Sequence, residues 1–345
     1  MPSLIRLGLA MLAVTAVAGA ALIAQQSRTP AQQMADAANT FLTMLTPAQA
    51  QKAKFSFDDP HRLGWYFTPQ QDAQRHPTRK GIAMGDLNET QKMAALNLMK
   101  AGLSSTGYDQ ATTIMSLEAV LADLEKNGRM VRDPNWYFVS IFGDPSGTGR
   151  WGWRLEGHHM SINFTLEKGE VVSATPLMFG ANPAEIKSGA KKGQRTLPEV
   201  EDQAKALIAS LTPEQKAIAA QPKQLSEIKE NSPTADVGSA LGIPLSQLSP
   251  AQQSIAWKLL EAYARRLPNT LADAELAQVK AAGLDQVRYA YHVAETQPGK
   301  PYTYRIHGPS FVVEFLNVQK DAAGNPANHI HSAWRKLPAD FGLKQ

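Results

Sequence analysis

The sequence predicts an α+β fold made of two diverged repeats, each a group of helices followed by an antiparallel β-meander, packed as one core. Three observations carry this. One helix-start device occurs four times. The order helices-then-strands occurs twice. One long β segment has an echo 151 residues later, Phe164 against Phe315. Self-similarity at a fixed spacing is the mark of an internal duplication.

The helix-start device is Leu45-Thr46-Pro47-Ala48-Gln49, with Thr46 as N-cap, Pro47 at the first helical position and Gln49 where a capping box needs Glu or Gln. It returns at Leu211-Thr212-Pro213-Glu214-Gln215, at Leu248-Ser249-Pro250-Ala251-Gln252 and, without proline, at Leu87-Asn88-Glu89-Thr90-Gln91. Met93, Leu96 and Met99, then Ile114, Leu117, Leu121 and Leu124, continue at helical spacing, and Leu271 to Val279 reads as a further helix. Strand signals follow each helical group: Trp136–Phe142, Gly152–Phe164 and Val171–Thr175 first, then Val287–Val293, Tyr302–Asn317 and His329–Trp334. The organisation expected is a first repeat over 34–183, a linker over 184–197 and a second repeat over 198–345, one compact domain overall.

In the echo, Trp153-Arg154-Leu155-Glu156-Gly157 through Phe164 aligns with Tyr304-Arg305-Ile306-His307-Gly308 through Phe315. Taken as one strand, the first segment puts Met160, Ile162 and Phe164 on a face with Arg154, Glu156 and His158. Ser161 and Asn163 then share the other face with His159. Polar groups at the end of an apolar stripe must be paired or functional, because burial without a partner costs a few kcal/mol each.

Arg6 precedes an apolar run from Leu7 to Ala24, and small residues at Ala18-Gly19-Ala20 offer a cleavage site. Residues 1–24 are therefore read as a signal peptide or N-terminal anchor, and 25–33 as a tether. Either reading places the body of the protein in the periplasm or outside the cell. The net charge of +4 is spread without a Lys/Arg run, which argues against nucleic acid as a partner. With no cysteine there is no disulfide, thiol nucleophile or zinc–thiolate site, so a transition metal must be held by histidine and carboxylate. The Gly-rich turn Gly143–Gly149 lacks the Lys-Ser/Thr and helix of a phosphate loop, and no Gly-x-Ser-x-Gly elbow is present.

Two histidine motifs stand out: His158-His159, and Asn328-His329-Ile330-His331, whose His-x-His spacing on a strand sets both imidazoles on one face. His158, His159, His329 and His331 are the candidate metal ligands, for zinc, copper or iron. Glu156 and Asp340 are candidates for the catalytic carboxylate, and Arg154, Arg305 and Arg335 for contact with an anionic substrate.

Arg79-Lys80-Gly81, Leu103-Ser104 with Gly107-Tyr108, Trp151 through His159, Phe179-Gly180-Ala181-Asn182-Pro183, Tyr304-Arg305-Ile306 with Gly308-Pro309, and Asn328 through Ser332 with Trp334-Arg335 resemble the family catalogued as domain of unknown function 3500. The resemblance covers nearly the whole mature chain. It implies an exported, one-domain protein and brings no activity with it.

Two functions compete. One is a metal-dependent enzyme, a hydrolase ahead of an oxidoreductase, acting on an unidentified small molecule. The other is a non-enzymatic periplasmic ligand-binding protein with structural histidines, its arginines and Trp65, Tyr66, Trp151 and Trp153 lining a pocket. Contact with a membrane is expected only through the N-terminal segment, if it stays uncleaved.

Overall fold

The computed structural model describes residues 28–126, 128–294 and 299–343, so the apolar segment 1–24 lies outside the described residues. No helix among those described is long and apolar enough to cross a membrane.

Every predicted helix start is a real one. The helices of the first half are α1 (Pro30–Thr43), α2 (Pro47–Ala53), α3 (Glu89–Gly102) and α4 (Ser105–Leu124). Those of the second are α5 (Pro198–Ser210), α6 (Pro213–Ala219), α7 (Pro250–Ala264) and α8 (Asn269–Ala282). Thr46, Asn88, Thr212 and Ser249 each close a capping box with the glutamine three residues on. A fifth box at Thr29 and Gln32 starts α1, so the segment read as a tether over 25–33 is already helical from Pro30. The capping glutamines also meet in pairs across helices. Gln91 Nε2 lies 2.8 Å from Gln49 Oε1, and Gln252 Nε2 lies 2.8 Å from Gln215 Oε1. Each pair also donates to neighbouring carbonyls, Gln91 to Met44 and Gln252 to Ser210.

The strands of the first half are β1 (Lys54–Phe55), β2 (Ile82–Ala83), β3 (Phe138–Gly143), β4 (Arg150–Gly157), β5 (Met160–Glu167), β6 (Glu170–Ser173) and β7 (Leu177–Ala181). Those of the second are β8 (Ile243–Pro244), β9 (Arg288–Val293), β10 (Tyr302–Gly308), β11 (Phe311–Asn317) and β12 (Ile330–Lys336). All join one mixed sheet in the order β1-β3-β4-β5-β7-β12-β11-β10-β9-β8, with β2 on β3 and β6 on β5. The two halves meet at β7 and β12, antiparallel, with His331 opposite Gly180.

The helices cover one face of this sheet. Trp153, Leu155, Ile162, Phe164, Tyr304, Ile306, Val313 and Phe315 pack with them in the main core. Of the two methionines placed at helical spacing, Met99 is buried, whereas Met93 is 60% exposed. The other face carries a second, smaller core. Met178, Leu316 and Ala333 from the sheet meet Trp65, Phe67, Ile228 and Phe341 from irregular segments of both halves.

The long segment 153–164 is not one strand, and this corrects the assignment of faces. His158 and His159 are a two-residue turn between β4 and β5, with Gly157 paired to Met160. A turn of two residues folds the chain back and breaks the alternation. Arg154 and Glu156 therefore share a face with Asn163 and Ser161, opposite the helices, not with Met160, Ile162 and Phe164. The same happens at Pro309-Ser310 between β10 and β11, which pairs Arg305 with Glu314. Gly157 and Gly308 are required beside these turns. A Cβ at Gly157 would lie 2.4 Å from the Tyr137 ring, and one at Gly308 would lie 2.3 Å from Phe311.

Candidate metal centre

The β4–β5 turn fixes the first histidine. His159 sits in the left-handed region (φ 61), a conformation that costs a non-glycine residue about 1–3 kcal/mol and persists only when its surroundings impose it. Here they do: His159 N–H donates to the Phe67 carbonyl at 2.8 Å, and Gly180 N–H donates to the His159 carbonyl at 2.7 Å. This ties the turn to the second layer on one side and to β7 on the other.

The start of β12 supplies the other two. His331 lies in β12 and His329 just before it, and their rings are 4.9 Å apart on one face, as the His-x-His spacing requires. Gly180, opposite His331, brings the His159 turn alongside. The result is a cluster of three imidazoles. His329 Nε2 is 2.8 Å from His159 Nε2 and 3.1 Å from His331 Nε2. One nitrogen from each ring lies within 4.8 Å of the others, so the three could hold a metal ion. Nitrogens bound at 2.0–2.1 Å around one tetrahedral ion sit about 3.3 Å apart, close to these separations. His159 and His331 are buried, His329 partly so.

The far sides of two rings are also held. His331 Nδ1 is 3.0 Å from Glu227 Oε2, the carboxylate–histidine arrangement that fixes a ligand's tautomer and raises its basicity. Burial pushes the Glu227 carboxyl up, but the hydrogen bond and charge of His331, the Ile228 N–H and the His329 charge together hold the group below its ordinary value. The His329 ring bonds the Lys320 backbone in the sense that favours its protonated form, as a ring N–H meeting a carbonyl does. Both rings turn Nε2 toward the cluster. Burial, and next the neighbouring histidine charges, hold His159 well below the usual histidine range. Burial and His331 take His329 down to about 3. Neutral imidazoles are the form a metal takes.

His158, expected among the ligands, stacks on His159 at 3.7 Å and turns away from the cluster. Its Nδ1 lies 2.5 Å from Glu118 Oε1, and Arg132 Nη1 lies 3.1 Å from the same nitrogen. Glu118, His158, Arg132 and Arg79 line a small, partly open cavity of about 20 Å³, room for roughly one water. Burial pushes the Glu118 carboxyl up to about 8.

The remaining candidates are ties between the sheet and the second layer. Arg154 donates to the carbonyls of Gly64, His61 and Arg62 and to Asn163 Oδ1. Glu156 accepts from Tyr66 N–H and lies 3.5 Å from both Arg79 and Arg154. Arg335 and Asp340 form a fully buried pair at 2.5 Å, and Arg335 also donates to the Lys229 and Ser232 carbonyls. Arg305 bonds Glu314, Ser226 and the Val237 carbonyl. Trp65, Trp151 and Trp153 are core. Glu227, Glu118, Arg132 and Phe67 were not singled out by sequence. None belongs to a spacing motif, and each reaches the site only through the tertiary fold.

An α+β protein with a three-histidine centre, backed by a carboxylate on one ring, is the class that this fold and site define. The family described as protein of unknown function (DUF3500) matches residues 27–343, nearly the whole chain, and the chain belongs to it. No curated protein and no solved structure matches the chain.

Proposed function

We propose that this protein is exported, binds one divalent transition metal through His159, His329 and His331, and acts as a metal-dependent hydrolase on a small molecule. The observation that carries the reading is the pair of Nε2 atoms of His329 and His331, 3.1 Å apart. With Glu227 on its opposite ring nitrogen, His331 offers its Nε2 lone pair to the cluster, where a cation can take it. Three protein ligands leave a fourth position, and zinc, copper or iron there would supply an activated water. The binding-protein alternative loses support, because the arginines and indoles it needs around a pocket are spent on loop carbonyls or buried in the core. The apolar run Leu7–Ala24 supports export.

The two halves read as diverged copies. What supports this is the sheet order, in which β3-β4-β5-β7 is mirrored by β9-β10-β11-β12, and the paired capping glutamines of each half.

The test is elemental analysis of the protein purified without a polyhistidine tag. One equivalent of zinc, copper or iron, lost in a His159→Ala/His331→Ala variant that still folds, is the expected result. Absence of metal after reconstitution with all three would remove the reading.

A further inference from the structure

Two rings of the candidate centre are held by hydrogen bonds from outside it, His331 by Glu227 and His329 by the Lys320 backbone. His159 is held in another way. Its ring lies face to face with that of His158, the centroids 3.7 Å apart and the planes 30° from parallel. On a continuous strand, neighbouring side chains point to opposite faces, and two such rings could not meet. The β4–β5 turn brings them together, with His159 in its left-handed conformation.

His158 is itself fixed from three directions. The Tyr137 hydroxyl donates to its carbonyl at 2.9 Å. Glu118 Oε1, from α4, lies 2.5 Å from its Nδ1, and Arg132 Nη1 lies 3.1 Å from the same nitrogen. Arg132 Nε in turn donates to Glu125, just beyond the end of α4, at 2.8 Å. The ring of His158 cannot turn without breaking the contacts at Nδ1. Glu118 and His158 are both buried. Taking such groups out of water is costly, and well-packed apolar side chains usually serve stability as well. A two-residue turn needs none of them. What they provide is a flat ring, locked in place, laid against a ring of the metal cluster.

We infer that His158 is a positioning residue for His159. Glu118 and Arg132 lock the His158 ring, and the locked ring sets the plane in which His159 presents Nε2 to a metal, 2.8 Å from His329 Nε2. The inference rests on the reading of His159, His329 and His331 as a metal centre. It ties the helical layer to that centre, since Glu118 belongs to α4.

The probe is cobalt(II), whose visible absorption bands report the number and arrangement of its ligands. The full chain, untagged and cleared of metal by a chelator, is loaded with cobalt, and competition with the chelator gives the affinity. His158→Ala and Glu118→Ala should each weaken binding by about 10–100-fold and alter the bands. Glu118→Gln keeps a hydrogen-bonding group beside Nδ1 and should restore most of both. Bands and affinity unchanged in His158→Ala, whatever happens to the melting temperature, overturn the proposal and leave the metal centre standing. Glu118→Gln no better than Glu118→Ala overturns the part given to the Glu118 bond. A wild-type protein that takes up no cobalt overturns the metal centre and the proposal with it. Should the alanine variants fail to fold, crystals of the cobalt-loaded wild type decide: His158 stacked on His159 and bonded to Glu118 is the expected result, and a His158 ring turned away from His159 overturns it.

Discussion

Glu227 illustrates how much one side chain decides at the candidate centre. It sits on an irregular segment, half-exposed, and touches the cluster only through His331 Nδ1. If it orients that ligand, Glu227→Gln should weaken metal affinity by about 10–100-fold while one equivalent still binds at saturation. Competition with a chelator of known affinity measures this, and an unchanged affinity would deny the role. Arg335 is a different case. Expected to contact substrate, it is spent on Asp340 and two carbonyls. Asp340→Asn should cost about 3–5 kcal/mol, the usual penalty for breaking a buried ion pair. Urea unfolding reads it directly, and a loss below about 1 kcal/mol would place the pair among weak surface contacts. His61 gives a pH dependence. It is wedged between Phe55 and Phe142, and burial, then the Arg154 charge, lowers it from 6.5 to about 4. Below 6.5 the unfolded chain takes up a proton that the folded chain refuses. The stability from neutral His61 is therefore full above about 6.5 and lost as pH falls toward 4. His61→Gln should lose less stability than wild type between pH 6.5 and 4.5, and equal losses would show that His61 is not responsible.

Among the elements, helix starts were readable and one turn was not. The four Thr/Ser/Asn-x-x-Gln signals are local, and a capping box depends on nothing beyond four residues, so they survived folding unchanged. The His158-His159 turn has none of the Asn-Gly or Gly-Asn chemistry that marks a two-residue hairpin. Read through as strand, it inverted the face of Arg154 and Glu156 relative to Met160, Ile162 and Phe164. His329 and His331 were readable because their parity lies within a single uninterrupted segment. Glu227, Glu118 and Arg132 were not, since no period links them to a histidine 26 to 104 residues away. The glutamine pairs were half legible: the cap was visible, the contact across helices was not. Gln91→Ala removes a cap and the bonds to Gln49 and Met44 together, and should cost about 1–3 kcal/mol. Gln252→Ala should cost a similar amount in the other half. A loss in one and none in the other would show that the two pairs are not equivalent.

At the scale of the molecule, the candidate centre draws on both halves: His159 from the β4–β5 turn, His329 and His331 from the last strand, Glu227 from the segment between them. A metal bound there would act on the whole fold, because it binds only when these parts have assembled. Removing it with a chelator should lower the melting temperature while leaving a single transition, and readdition should restore it. Two separated transitions would mean that the halves unfold independently. The α+β class was legible from composition and order alone, since helices and strands alternate in blocks along the chain. That both blocks of strands join one sheet was not, because pairing between β7 and β12 leaves no local trace.

That pairing has a consequence for any attempt to divide the chain. β7 is Leu177-Met178-Phe179-Gly180-Ala181, buried throughout, without a charge or a proline to blunt its edge. A fragment ending between residues 184 and 197 would leave this row of backbone groups bare. It would recruit the missing strand from a separately made second fragment or, failing that, from another copy of itself.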